Sequence, residues 1–416
     1  MAQNVTVSGR VNRPEILVRL MVYDDLLNMH ETSIAETSSD DKGFFLLEGE
    51  VNKIMPASIV VGLEGVDLVV SPGASYEVSI IIPDPNPNAS YFDRESPTMR
   101  VKTATDKGVY RQLVLSEEII EGYVLNYFDE LFRRRQSRYL DSIKATIDTE
   151  MDIKSDYVIQ QNNYKIASIQ MALDADGGKK VIRDYYDGKP VLYNCMAYMD
   201  LLKDLFKNYE VTNEFKSRNP RLAELITLYH LRSAYYNEIP RLRGSIRKQI
   251  QAVRDKSTFA ETKQMATNML ARFDKFAPDA PAVDFELKDV AGNNVKLSDF
   301  KDKVVVLQFV EGMSRTVEHQ FEVLADLHHQ WQDQVQLVTI TTKDQFSSHR
   351  KRFEEHRYDW PLLNLGNDIL LLEQYEVRTF PEYFIINKGT KIGMAPAPSP
   401  DQTLGEYVQG ILESTF

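Results

Sequence analysis

The chain has 416 residues, of which 43% are hydrophobic and 26% are charged, a composition typical of globular proteins. This length exceeds what one hydrophobic core supports, so about two to four domains are expected. The formal net charge of −12 argues against nucleic-acid binding, which requires a basic face. No apolar run reaches the length of about 18 residues that a transmembrane helix needs, so no transmembrane segment is predicted.

Residues 1–82 have the pattern of a small β-domain. The start, Met1-Ala2-Gln3, resembles a junction left by signal-peptide cleavage, which predicts a secreted protein whose signal peptide has been removed. Turns rich in Gly, Pro and Asp separate short strands, and strands at this spacing predict an antiparallel β-sandwich. The predicted strands are residues 5–11, 17–23, 43–47, 59–63, 66–70 and 76–82.

A proline-rich segment separates this β-domain from a long helical region. Three prolines within residues 83–87 disfavour regular structure, so residues 83–100 are predicted to form an extended linker. From residue 101 to 276, apolar side chains such as Ile120 and Val124 recur at helical steps, which predicts a domain of about five or six helices. The many tyrosines of this region favour packing over a ligand groove.

The sequence predicts neither a metal site nor a cofactor. Cys195 is the only cysteine, which excludes an internal disulfide and a cysteine zinc site. Its neighbours are apolar, so a buried packing residue is favoured over a reactive thiol. The histidines lack metal-binding spacing, and His328, His329, His349 and His356 are expected on solvated surfaces.

After a second proline-rich junction, Phe276–Pro281, strands alternate with helices across residues 277–416. This alternation predicts an α/β domain. A hairpin is predicted over residues 285–297, followed by strands at 304–309, 335–341, 383–387 and 391–394. The predicted helices are residues 318–334, 344–356, 367–375 and 402–414.

This order of elements resembles the thioredoxin fold, and two segments narrow the resemblance. Residues 280–307 and 375–392 are similar to the opening and to the cis-proline strand of the TlpA/ResA-like and AhpC/TSA-type families. The resemblance implies that Pro381 is the cis-proline. The layout of the whole chain also resembles bacterial proteins of the periplasm or cell envelope. The predicted fold class is therefore multidomain α+β, with an N-terminal β-sandwich, a central α-helical domain and a C-terminal thioredoxin-like α/β domain.

The redox motif that these families carry is degenerate in this chain. Their thiol–disulfide exchange needs one cysteine at the start of a helix and a second that resolves the mixed disulfide. The matching positions are Ser314 and Val317, and neither side chain can form a disulfide. Ser314 is expected to cap the helix instead. A hydrolytic set of Ser314, His319 and a nearby glutamate is disfavoured, because residues five apart on a helix point in different directions.

These observations favour a redox-inactive thioredoxin-like envelope protein that acts as a protein-binding or complex-assembly subunit and not as an enzyme. Glu311, Met313, Arg315 and Phe380 are the candidate partner-binding residues, beside a groove that resembles a site for extended peptides. The expected partners are other envelope proteins, and the sequence leaves open that they form a membrane-associated complex. Two alternatives stay open: a thiol-disulfide oxidoreductase of the TlpA/ResA type, and a receptor that binds a small ligand in the helical domain.

Overall fold

The computed structural model describes residues 2–62, 64–83, 96–173, 178–237, 242–312, 314–366, 368, 370–377 and 379–414. The chain divides into two compact units. The first contains Met1–Ile82 and Pro97–Leu270, and the second contains Pro83–Ser96 and Ala271–Phe416.

Two four-stranded sheets form the first part of the first unit. The strands are β1 (Gln3–Val11), β2 (Leu17–Asp25), β3 (His30–Ser38), β4 (Phe44–Val51), β5 (Met55–Val61), β6 (Glu64–Val70), β7 (Ser75–Ile81) and β8 (Thr98–Ala104). One sheet has the order β4-β1-β7-β8 and the other β3-β2-β5-β6. Their inner faces share one apolar core that includes Val7, Leu20, Ile59 and Tyr76. The β-sandwich is therefore present, although β1 and β7 pair in parallel.

Two of these strands lie outside the predicted set. Both β3 and β8 are edge strands, and edge strands with polar sequences give little apolar alternation. Residues 98–104 pair with β7, whereas the sequence predicted the end of a linker and the start of the helical region there. Residues 84–95 of the predicted linker lie outside the described residues.

Helices follow the sandwich in the first unit. They are α1 (Val109–Asn126), α2 (Arg138–Glu150), α3 (Asp156–Leu173), α4 (Lys179–Val181), α5 (Met196–Leu205), α6 (Asn213–Arg218), α7 (Pro220–Asn237), α8 (Arg243–Lys256) and α9 (Ala260–Lys275). Of these, α9 begins in the first unit and extends past its last residue, Leu270. The described residues thus hold more helices than the five or six predicted, and two of them, α4 and α6, are too short to show a periodic apolar stripe. The Asn28 amide donates to the carbonyl oxygen of Met265 over 3.0 Å, so the helices and the sandwich belong to one unit.

The second unit is built on one mixed sheet. Its strands are β9 (Glu286–Lys288), β10 (Asn294–Lys296), β11 (Val304–Val310), β12 (Val335–Thr341), β13 (Leu362–Asn364), β14 (Glu382–Asn387) and β15 (Lys391–Ala397). The helices are α10 (Arg315–Trp331), α11 (Phe346–His356), α12 (Leu370–Gln374) and α13 (Leu404–Ser414). The strand order is β10-β9-β13-β12-β11-β14-β15.

The central strand β11 pairs in parallel with β12 and antiparallel with β14. An apolar core covers each face of the sheet, with Phe309 in one core and Phe321 of α10 in the other. This is the predicted thioredoxin-like α/β architecture. The sequence missed β13, which has only three residues. It also placed the start of α10 three residues too late, at 318 instead of Arg315.

Candidate functional site

The candidate site lies where β11 ends and α10 begins. Every residue of β11 is buried, and the chain leaves the sheet at Glu311, which is half-buried. Met313 lies outside the described residues, so the prediction for this side chain stays untested. The buried strand fixes the start of the junction, and Ser314 fixes its end.

Ser314 caps α10. Its Oγ atom accepts a hydrogen bond from the backbone N–H of Val317 over 3.3 Å, and its carbonyl oxygen accepts from Glu318 N over 2.9 Å. A serine at this position satisfies a first-turn donor that would otherwise have no partner. The Ser314 hydroxyl, which the family resemblance matches to the first redox position, therefore accepts a hydrogen bond within the helix cap.

Val317, which the family resemblance matches to the second redox position, belongs to the hydrophobic core. Its exposed fraction is 4%, and it packs in the cluster that contains Phe321 and Leu324 of the same helix. A side chain without a polar atom in this environment can neither attack nor release a disulfide. Val317 therefore contributes packing to the core and supplies no nucleophile.

The cis-proline lies at the same end of the sheet. The Phe380–Pro381 peptide bond is cis, and the next residue, Glu382, pairs with Phe309 of β11. This pairing brings Pro381 close to the β11–α10 junction in the fold. Phe380 is half-buried against the core, and Arg315 is exposed. Arg378 lies outside the described residues.

The candidate hydrolytic set is not assembled around Ser314. His319 is exposed and lies 3.8 Å from Glu322, and the described contacts of Ser314 Oγ are within the helix cap. Within the described contacts, no general base lies at the Ser314 hydroxyl.

His349 contradicts the expectation of a solvated histidine. Its side chain is fully buried, because it lies on the face of α11 that packs toward Phe321. Its Nε2 atom lies 2.8 Å from the carbonyl oxygen of Glu311. Since a carbonyl only accepts, Nε2 carries a proton. Burial lowers the pKa of His349, and within the described residues Nδ1 has no hydrogen-bond partner.

His328 is also less solvated than predicted. Only 18% of its side chain is exposed, and Nε2 lies 3.1 Å from a carboxylate oxygen of Asp359. Its ring meets Trp360 edge to face. The adjacent pair His328-His329 looked polar in sequence, and only the packing of α10 shows which member faces inward.

A chain of buried polar side chains crosses the sheet next to this site. Trp360 Nε1–H donates to Thr339 Oγ1 over 3.0 Å, and Thr339 donates to Gln308 Oε1 over 3.0 Å. Gln308 Nε2–H then donates to Tyr383 Oη over 3.0 Å, so Gln308 joins two neighbouring strands of β11.

The chain continues from the sheet to α10. Tyr383 Oη–H donates to Gln320 Oε1 over 2.9 Å, and Gln320 Nε2–H donates to Asp401 over 3.2 Å. Burial raises the pKa of Tyr383, and a hydrogen bond from Ser399 lowers the pKa of Asp401. No local sequence pattern indicates this set, apart from Gln308 within an otherwise apolar strand.

Cys195 lies in the first unit, immediately before α5. Its exposed fraction is 1%, as predicted for a packing residue, and it is a free cysteine. Burial raises the pKa of its thiol to about 12, so the thiolate that disulfide exchange needs is strongly disfavoured at neutral pH.

Two features are absent from the described residues. They contain no group of three or more His, Cys, Asp or Glu side chains arranged to hold a metal ion. None of their helices combines the length and the apolar character that a membrane crossing requires.

Comparisons with known proteins give one family match and several similar proteins. Residues 278–394 match the model of the AhpC/TSA family. The thiol-disulfide oxidoreductase ResA of Bacillus subtilis (strain 168) is 27% identical over 115 residues, which cover 27% of this chain and 63% of that relative. The chain thus matches less than two thirds of the length of this relative.

Two solved structures are similar to about a third of the chain. The thioredoxin domain of a thiol-disulfide oxidoreductase from Bacteroides vulgatus is 25% identical with a TM-score of 0.29, covering 32% of this chain and 96% of that chain. A thiol:disulfide interchange protein from Bacteroides sp. is 22% identical with a TM-score of 0.31, covering 33% of this chain and 92% of that chain.

Proposed function

We propose that this chain, whose C-terminal region is similar to the AhpC/TSA family and to a thiol-disulfide oxidoreductase, is redox-inactive and acts as a protein-binding subunit of a cell-envelope assembly. The observation that carries the proposal is the pair Ser314 and Val317, of which one caps α10 and the other lies in the core. Disulfide exchange passes through a mixed disulfide and needs sulfur at the attacking position.

The former redox face supports a binding role. Arg315 is exposed, Glu311 and Phe380 are half-buried, and all three lie near the end of β11. An extended segment of a partner protein can pair with backbone groups at such an edge, and the adjacent side chains then select the sequence. The cell-envelope location rests on the resemblance to TlpA/ResA-like proteins.

A reduction assay tests the loss of redox chemistry. Insulin reduction driven by dithiothreitol should proceed at the rate of buffer alone in the presence of the purified chain. A faster rate that disappears in Cys195→Ala would contradict the proposal and favour the alternative, an oxidoreductase that works through this cysteine. Sequence similarity favours that alternative, whereas the burial of Cys195 opposes it.

A pull-down from native envelope tests the binding role. Arg315→Glu combined with Phe380→Glu should reduce recovery of partner proteins while the circular dichroism spectrum stays unchanged. The matched control is Arg350→Glu, an exposed arginine of α11 that pairs with Glu354 of the same helix. Equal recovery by the folded double variant would exclude this face as the docking surface.

A further inference from the structure

A groove in the first unit has no role in the function proposed above. Its volume is about 940 Å³, and α1, α3, α5 and the strands β5 and β6 contribute to its lining. The helix α3 packs against both α1 and α5, so α3 forms the floor and the other two helices form the walls. We call it the α1 groove.

One face of α1 lines this groove along almost the whole helix. The lining positions recur every three or four residues from Tyr110 to Leu125, a separation of roughly 22 Å at 1.5 Å per residue. Several are apolar and unusually open: Leu125 is 78% exposed and Val114 is 36% exposed. Such a stripe is the half of a helix–helix interface that normally lies against another helix.

The floor of the groove contains a polar group without a partner. Gln161 is satisfied, since it donates to Tyr157 Oη over 2.9 Å and accepts from Ala197 N over 3.0 Å. Asn162 accepts from Ser116 Oγ over 2.8 Å, but within the described residues its Nδ2 atom has no acceptor. Asn162 is only 6% exposed, and a buried donor of this kind is unfavourable unless something accepts from it.

The rim of the groove is acidic. Among the described residues that line it, Lys165 is the one cation, and it is paired with Glu117. The carboxylates that line the groove are Asp67, Glu117, Glu121, Asp200 and Asp204. An excess of carboxylates around an apolar floor attracts cationic ligands and repels acidic ones.

We infer that the α1 groove binds an amphipathic helix of a partner protein, with apolar residues at helical spacing on one face and Lys or Arg on its flanks. The apolar stripe and its length select a helix, and the acidic rim selects its charge. The inference uses no residue of the second unit. Its test and the Arg315 and Phe380 test can therefore fail separately.

Fluorescence anisotropy with the full chain tests the inference. The probe is a labelled peptide of about 18 residues, made only of Leu and Lys with Leu on one helical face. A scrambled peptide of the same composition and an acidic Leu–Glu peptide are the comparators. We expect the amphipathic basic probe to bind about tenfold more tightly than the scrambled peptide at about 0.15 M salt, and the acidic peptide not to bind.

Variants locate the binding. Glu121→Lys with Asp204→Lys, and separately Leu125→Glu, should each weaken probe binding by about tenfold. The matched control is Glu118→Lys, an exposed residue of α1 that does not line the groove, and it should change binding less than about twofold.

Four results would overturn the inference. The scrambled peptide could bind as well as the amphipathic one, or the Glu118→Lys control could weaken binding equally, as nonspecific attraction to an acidic protein predicts. A Leu–Lys dipeptide competing at the same concentration would indicate a small-ligand site. A dimer in sedimentation that Leu125→Glu dissociates would show that a second copy of the chain occupies the groove.

Discussion

The chemistry of Cys195 gives the sharpest quantitative prediction. With a thiol pKa of about 12, the thiolate fraction at pH 8 is about one in ten thousand, against roughly one in four for an ordinary thiol of pKa about 8.5. Since thiolate is the reacting species, ionisation alone slows the reaction more than a thousandfold. The exposed fraction of 1% reduces access further.

The assay is the reaction of the native chain with DTNB. We expect slow labelling in buffer, full labelling of one thiol in denaturant, and no labelling of Cys195→Ala under either condition. The native rate should also rise with pH up to the raised pKa. A native rate within tenfold of that of glutathione would refute both the burial of this thiol and the argument that the chain lacks a reactive sulfur.

Three further changes test the candidate site. Ser314→Ala should destabilise the first turn of α10 by about 0.5–1 kcal/mol, because the capping bond is long, whereas Ser314→Asp should keep the cap; faster hydrogen exchange at Val317 in the alanine variant alone is the readout, and equal exchange would contradict the cap. Because burial lowers the pKa of His349, the unfolded chain binds a proton more readily than the folded chain, so the free energy of unfolding should fall as pH decreases below about 6.5. His349→Gln should reduce this pH dependence in thermal melts. An unaltered pH dependence would mean that other groups cause it. Gln308→Leu should lower the free energy of unfolding by about 2–3 kcal/mol, because Thr339 loses its acceptor and Tyr383 loses its donor in the core. A thermal midpoint equal to that of the unsubstituted protein would show that these buried hydrogen bonds do not contribute to stability.

The sequence predicted the parts of the site that depend on local patterns. An apolar strand followed by a serine and a helix stripe predicts the Ser314 cap of α10, because a cap depends on a short stretch of chain, although the predicted helix begins three residues after Arg315. The strand after Pro381 follows in the same way. The degenerate redox motif was identified from the family resemblance alone, without a structure.

The missed features depend on tertiary packing. His349 lies on a helix rich in charge, and only its position against Phe321 shows that it is buried. The partners of Gln308 are 31 and 75 residues away in the sequence, so no local pattern relates them. The strand β8 was not predicted because an edge strand needs only one apolar face, and the side chains of β8 that pack against the core are Met99 and Val101.

The polar chain from Trp360 to Asp401 has a direction. An indole N–H can only donate, and an ionised carboxylate can only accept, so the two ends fix the proton position on both hydroxyls and the orientation of both amides between them. The reversed arrangement does not exist while Asp401 is ionised. These hydrogen bonds thus cannot relay protons in both directions. They connect the sheet, α10 and the segment before α13 in a single register.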